Sequence, residues 1–594
     1  MRKVKKSEII TMIILFVVAF LLFNRIADLY TASGYSFAIT DMLNGFTFAF
    51  EQFFIYPYRI SFDKSALLSS ALGVFIVFVC FAYYWSTQKN FMFGKEHGSA
   101  RWGTKKDIEP FIDKKNPDNN IILSATEQLS LSPRMPNWLH NRNKNVVVIG
   151  GSGKGKSRYI AKPNICQLNT SFVITDPKGE LFEECGDMLA TKGGYKVKVL
   201  NLVDMSKSDR FSYFPYITSE REILIMVDNL IANTSSTEAT AHAGDDFWNK
   251  SERALLTALH AYIMTEVRPE ERNISSLLTL MDMAEAREDD EDYMSPLDVA
   301  FEELKAKKPD SLAVYMYSLF KKASGKTAKS ILISLGVRLA PFAINEVREL
   351  MSEDELDLTS LATEKTALFL ILPLTYKTYN FIVCILYQLM LERLYEVGNN
   401  SPGRRCPVPI QIIGDEISNI GHIPNLESYM STMRSFGISA ILIFQTLTQV
   451  EAMDKNNWKT IVGNCDTFIY LGGKEQSTNE YVSKSVGKMT IASRQDNETK
   501  GSHGSYGRQD GVLGRDLLDP SEMEKLPGDE CIVQLSGVEP FKSKKYPLEK
   551  HPRYKYLADG GSPLFSYKRR NEVAVKEYFK DVKQVITLDL NEEI

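Results

Sequence analysis

Cysteine is scarce in this sequence: seven among 594 residues, scattered, with no C-x-x-C pair. That excludes a disulfide framework and a thiolate zinc site, and it suits a reducing compartment. Excess charge of one sign is also missing. The 70 Lys and Arg nearly balance the 74 Asp and Glu, for a formal net charge of -4. No global basic field draws the chain to nucleic acid, so any such contact must be local. What is there is globular: 44% hydrophobic and 24% charged residues, enough length for about three or four domains.

Apolar runs of membrane length occur in two places. Ile9 to Phe23 is nearly all apolar and extends to about Ala27; Ala66 to Trp85 carries no charge. Both are read as spanning helices, about 9–27 and 66–85. Arg2, Lys3, Lys5 and Lys6 precede the first, and Lys89, Lys95, Arg101, Lys105 and Lys106 follow the second. The positive-inside rule then places both ends in the cytosol and residues 28–65 outside, a multi-pass arrangement in the cell membrane. A cleavable signal peptide is the competing reading of the first run. It would carry the rest of the chain away from ATP.

The chemistry begins at Gly150-Gly151-Ser152-Gly153-Lys154-Gly155-Lys156-Ser157, the pattern G-x-x-x-x-G-K-S. A β-branched run, Asn145 to Ile149, stands before it, and a helix can open at Lys156. Strand, glycine loop and helix together make a phosphate cradle. Lys156 is read as reaching the β- and γ-phosphates of ATP, and the Ser157 hydroxyl as binding Mg²⁺.

Several strands follow in the sequence. Ser171 to Asp176 reads as a buried strand that ends in Asp176-Pro177-Lys178-Gly179-Glu180. Polar groups at such a strand end face the ligand crevice of a parallel sheet, so Asp176, Lys178 and Glu180 are candidates for substrate contact or coupling. Helical periodicity dominates from 220 to 341, and Lys321, Lys322 and Lys326 read there as a solvated face. Val408 to Gly414 is a hydrophobic strand ending in Asp415-Glu416. Asp415 is read as a Mg²⁺ holder and Glu416 as the residue that activates water. Ile438 to Phe444 should be the neighbouring strand, ending at Gln445 within reach of the γ-phosphate. Arg434, without an acidic neighbour, is either an exposed helix arginine or a finger offered to another subunit's nucleotide. Phe91 to Leu131 reads as a linker, Arg494 to Arg515 as a mobile loop, and the end of the chain from Pro552 as a peripheral tail.

These pieces together resemble the type IV secretion coupling proteins, the TraG/TrwB-like membrane ATPases of conjugation. The matching stretches are Gly98-Ser99-Ala100-Arg101-Trp102, the glycine loop, Asp176 to Glu180, Asp246-Phe247-Trp248, Gly414-Asp415-Glu416, Phe444-Gln445, and Arg515 to Pro520 with Glu522. One departure is Asp245-Asp246, where the family often has Asp-Pro. The resemblance implies an α/β fold: a RecA/FtsK-like P-loop NTPase domain (91–219 and 342–551) with an inserted all-α domain (220–341). A two-helix transmembrane anchor (1–90) and a tail (552–594) complete it. It implies a homohexamer in contact with membrane lipid that couples relaxase-bound single-stranded DNA, or protein, to a type IV secretion channel and drives transfer by ATP hydrolysis. Carried over, Arg434 is the finger acting on a neighbour, and Gln445 senses the γ-phosphate. The alternatives are an FtsK-like translocase of double-stranded DNA and an ATP-gated docking receptor that does not pump.

Overall fold

The structure is a computed structural model that describes residues 6–35, 38–55, 57–87, 94–234, 245–287, 293–323, 325–373, 375–376, 378–421, 423–499 and 505–567. The chain divides into two compact units, Met1–His97 with Thr490–Leu513, and Gly98–Met489 with Gly514–Ile594.

In the first unit, α1 (Lys6–Ala32) and α3 (Lys64–Thr87) are both long and apolar enough to cross a membrane. They lie in contact. Their approach is close because a Cβ on Gly73 would stand 2.6 Å from the Phe23 ring. Asn24 fastens the segment between them, giving its Nδ2–H to Ser61 O and taking the Ser61 N–H. The stretch between the two apolar runs reads as a loop, but it holds the helix α2 (Ile39–Phe53).

The second unit is built on a nine-stranded sheet. The strands of the chain in order are β1 (Asn120–Ile122), β2 (Gln128–Ser130), β3 (Val146–Ile149), β4 (Ser171–Thr175), β5 (Lys196–Asn201), β6 (Thr366–Ile371), β7 (Ile410–Gly414), β8 (Ile438–Phe444), β9 (Thr467–Tyr470), β10 (Lys488–Thr499), β11 (Ser505–Asp516), β12 (Glu530–Leu535) and β13 (Phe541–Lys544). The sheet order is β13-β12-β9-β3-β8-β7-β4-β6-β5. From β9 to β5 every pairing is parallel; β12 and β13 join antiparallel. Strands β3, β4, β6, β7, β8 and β9 are buried along their whole length, the signature of a parallel sheet covered on both faces. Alternation divides the core. Val147 and Ile149 face one cluster with the helical region; Val146 and Val148 face the other.

Both sheet margins are occupied. On β5, the Val199 N–H goes to Asp209 Oδ2 and the Asn201 N–H to Ser208 Oγ. At β13, Ala125 N–H takes up Lys544 O.

The helical region runs through Glu220–Thr234, Asp245–Glu266, Ile274–Asp282, Pro296–Lys307, Leu312–Lys321 and Gly325–Leu339. The side chains of the Asp246-Phe247-Trp248 motif lie outside the described residues. Arg338 knits the first, second and last of these helices. Its Nε donates to Glu252 Oε2 at 2.9 Å, and another guanidinium nitrogen donates to Ile231 O and Thr234 Oγ1. Lys321, Lys322 and Lys326 are exposed, and Lys321 also pairs with Asp298 at 2.9 Å.

Three expectations change. The linker at 91–131 contains the β1–β2 hairpin, hidden because each strand has only three residues. The segment read as a mobile loop at 494–515 forms the ribbon of β10 and β11; its polar and glycine-rich composition masked an extended pair. Residues 552–567 are docked, not peripheral. Leu557 is buried, Asp559 pairs with Lys162 at 2.6 Å, and Phe565 packs edge-on against Phe182. Two apolar anchors and one ion pair in a polar stretch left no periodic signal.

Candidate functional site

Strand β3 delivers the glycine loop to the carboxyl end of the sheet. Gly153 and Gly155 have φ of +72° and +77°, in the left-handed region where L side chains are strained. A Cβ on Gly155 would also lie 2.5 Å from the Tyr159 ring. The helix after the loop opens with a wide turn at Ser157–Ala161, takes Pro163 into its next turn and stops after Ile165. Lys156 lies back over the loop, its Nζ donating to Gly150 O at 3.0 Å and Gly151 O at 3.4 Å. Burial pulls its pKa down, against the pull of Asp415 and then Glu416.

The acidic strand tip meets this loop. Strand β8 separates β3 from β7, yet Ser157 Oγ donates directly to Asp415 Oδ2 across it. Asp415 is 7% exposed, and burial raises its pKa. Its other oxygen, Oδ1, is buried without a hydrogen-bond partner. A serine hydroxyl beside an orphaned carboxylate oxygen is a hard-oxygen set, which fits Mg²⁺. Among the described residues no group of three His, Cys, Asp or Glu converges on one point. Such a metal would therefore take its remaining ligands from phosphate and water, the habit of Mg²⁺.

Glu416 follows in left-handed backbone, φ +52° and ψ +41°. For a non-glycine residue that conformation costs about 1–3 kcal/mol and turns the side chain off the strand axis. Its Oε1 accepts from Gln445 Nε2 at 2.8 Å. Gln445 stands at the tip of β8, so the strand between the two motifs supplies the residue that holds the carboxylate.

Of the remaining expected residues, Asp176 is structural in its contacts. It is 3% exposed and accepts the Phe182 N–H at 2.8 Å, near the start of the helix Glu180–Met188. Burial pushes its pKa up to about 7, opposed by that N–H and reinforced by Asp415. Lys178 and Glu180 are exposed and 3.7 Å apart. Lys178 is close enough to influence both Lys156 and Asp415. Arg434 is not brought to the loop. It lies in the last turn of the helix Leu426–Phe436, before β8, whereas Gln445 lies after it. The strand between them is roughly 20 Å long.

Sequence reasoning missed Lys545. It is 5% exposed, its Nζ donates to Lys154 O at 3.0 Å, and it sits 5.5 Å from the Tyr159 ring centre. It ties the far end of the chain to the phosphate loop, and a lysine pair after a short strand carries no motif. A second support is Gly151 N–H to Gly472 O, from the Gly-Gly turn after β9.

The family described as Type IV secretory system Conjugative DNA transfer matches residues 98–556. A conjugal transfer protein TraG of Rhizobium radiobacter is 24% identical over 410 residues, 67% of this chain and 60% of that protein. The chain thus spans about three-fifths of that relative's length. A conjugal transfer protein TraG of Escherichia coli is 22% identical over 531 residues, 81% of each. Among solved structures, the plasmid coupling protein TrwB in complex with the non-hydrolysable ATP analogue ADPNP superposes with a TM-score of 0.52 at 18% identity, covering 77% of this chain and 94% of that one. That likeness extends to the fold: a mainly parallel α/β sheet with a helical insertion.

Proposed function

This chain belongs to the type IV secretory system conjugative DNA transfer family, and from that premise we propose that it is a membrane-anchored, Mg²⁺-dependent ATPase that couples a substrate to a type IV secretion channel and drives its transfer. The observation that carries the reading is the contact of Ser157 with Asp415, with Asp415 Oδ1 left free beside it.

In this reading Lys156 leaves its loop carbonyls for the β- and γ-phosphates, and Ser157 with Asp415 holds the metal. Bound Mg²⁺ supplies charge neutralisation at the phosphate oxygens. Glu416 orients the attacking water. As the water oxygen bonds to the γ-phosphorus, the bond to the bridging oxygen breaks and Glu416 accepts the proton. Gln445 keeps the carboxylate aimed and registers the γ-phosphate. Arg434 cannot serve its own subunit's site from the opposite strand end. It acts on the nucleotide of a neighbour in a homohexamer. Lys178 and Glu180, at the exposed rim, couple nucleotide state to substrate in this reading, with Asp176 as their support.

The two apolar helices anchor the chain in the cell membrane, with both termini and the ATPase domain in the cytosol. The domain division is 1–90, 91–219 with 342–551, 220–341 and 552–594. The substrate is relaxase-bound single-stranded DNA or protein. The test is ATP hydrolysis by the full chain in detergent, with and without single-stranded DNA, alongside its mass in solution. Mg²⁺-dependent turnover by an oligomer, stimulated by single strands, is expected. Stimulation by duplex alone favours an FtsK-like translocase, and undiminished transfer by a Lys156→Ala strain favours a docking receptor.

A further inference from the structure

The helix α2, between the two apolar helices, carries three kinds of surface. Gly45, Ala49 and Phe53, four residues apart, lie on the side packed against α1. Ala49 is buried with Leu29 and Tyr30, Phe53 and Ile26 lean on that cluster, and a Cβ on Gly45 would meet the Tyr30 ring at 2.5 Å. Beside this face, Leu43, Phe46, Phe50 and Phe54 recur at intervals of three and four and are between 47% and 71% exposed. Beyond them come Asn44, Thr47 and Glu51, exposed and polar. Phe48 is the one aromatic on the polar side.

The level of the apolar stripe is fixed by its contacts. About 20 helical residues cross the hydrocarbon of a bilayer, so, counted from Ile9, α1 leaves it near Asp28. Arg25 pairs with Asp28 there at 2.6 Å. The α1 residues under α2, which are Ile26, Leu29 and Tyr30, straddle that boundary, and the Tyr30 and Phe46 rings meet at 5.2 Å. After α2, Ser61 is bonded to Asn24 through both its N–H and its carbonyl. Asn24 stands four residues, about 6 Å, inside the boundary. The chain therefore passes through the headgroup level on its way to α3. At the same end, Leu22, Leu67 and Leu68 present exposed apolar surface on the two long helices, which spanning turns to lipid.

Charge narrows the partner. Helix α2 carries Asp41 and Glu51 and neither Lys nor Arg. Its attachment comes from apolar area, with nothing to draw it to anionic headgroups. We propose that α2 is a third membrane element, seated at the outward face of the bilayer with Leu43, Phe46, Phe50 and Phe54 among the acyl chains of a zwitterionic lipid surface and Asn44, Thr47 and Glu51 in water. The proposal rests on the reading of α1 and α3 as membrane spans, and adds a lipid contact that does not span.

The test places one nitroxide spin label at a time on the full chain in phosphatidylcholine nanodiscs. It measures collision with oxygen, which concentrates in lipid, and with a water-soluble nickel chelate. Leu43→Cys and Phe50→Cys report on the stripe, Asn44→Cys and Glu51→Cys on the polar side. All four also carry Cys80→Ser and Cys465→Ser, which remove the exposed and the half-buried native thiols. Cys80 itself, exposed along α3, is labelled in a Cys465→Ser chain as the control for the span. Retained ATP hydrolysis shows that each labelled chain is folded. The oxygen-to-nickel ratio at 43 and 50 is expected to be severalfold that at 44 and 51, with Cys80 also shielded from nickel. High nickel access at 43 and 50 puts the stripe in water, and low access to both reagents buries it in protein, such as a second copy. Either result, with Cys80 still shielded, overturns the proposal and leaves the spans standing. Nickel access at Cys80 as well removes the spans, and the seat of α2 with them. A lipid signature at 43 and 50 that needs added phosphatidylglycerol overturns the assignment to a zwitterionic surface.

Discussion

Gln445 Nε2 donates to Glu416 Oε1 at 2.8 Å, tip of β8 to tip of β7. The carboxylate that must face water is therefore aimed by a neutral amide at the tip of the adjacent strand. Glu416→Gln should bind a fluorescent ATP analogue as the parent does, with kcat lower by about 10²-fold or more. Gln445→Ala should lower kcat by roughly tenfold with little change in KM, because it releases a group used in the transition state more than in binding. Normal turnover by the Glu416→Gln variant would remove Glu416 from the mechanism.

Lys545 holds the phosphate loop through Lys154 O. Lys545→Met keeps the stem that packs near Tyr159 and removes the charged donor. Nucleotide affinity should weaken roughly tenfold by titration, the scale of one charge-assisted hydrogen bond. Unfolding by denaturant should change less. An unaltered dissociation constant would show that the loop is rigid without it.

His260 is fully buried, with Nδ1 against Leu256 O at 2.8 Å and Nε2 against the Tyr213 hydroxyl at 2.9 Å. A carbonyl on one side requires Nδ1–H there, so Nε2 accepts the phenol proton and the ring is neutral. Burial carries its pKa down to about 4, against the weaker upward pull of the Leu256 carbonyl. Below about 6.5 the unfolded chain gains a proton that the folded one refuses until about 4. The ring's contribution is thus complete above 6.5 and disappears as pH falls to 4. About 3 kcal/mol of stability is lost over that window. Urea midpoints measured across it should fall with acid, and less steeply in His260→Gln.

Arg338 reaches three helices and leaves Glu252, 2% exposed on its side chain, as its partner. Arg338→Met strands that carboxylate and should lower stability by about 3 kcal/mol or more. The double variant Arg338→Met/Glu252→Leu should recover part of it. Equal stability of single and double variants would mean the charge was never uncompensated.

The sequence was most legible where burial is continuous. The runs around Val147, Phe172, Ile412 and Ile441 read as strands because a parallel sheet buries both of their faces. The glycine loop and the Asp415-Glu416 tip were legible because phosphate and metal chemistry restrict residue types at fixed spacing. Their meeting was an inference, since 258 residues part Ser157 from Asp415. Neither β1 nor β2 was long enough to show a period, and the polar β10–β11 ribbon lacked a buried face to create one. Lys545 was illegible for another reason. A lysine's role depends on which carbonyl, or which absence of one, the fold puts beside it.

The occupied margins of the sheet have a final consequence. Asp209 and Ser208 take the Val199 and Asn201 N–H groups of β5, and beyond β13 the Lys544 carbonyl is already spoken for. These contacts blunt both flanks of the nine-stranded sheet against strand addition by a second chain. Copies that met beside this sheet would touch through helices, loops and strand ends. A subunit can then tilt or slide against its neighbour without tearing a backbone hydrogen bond.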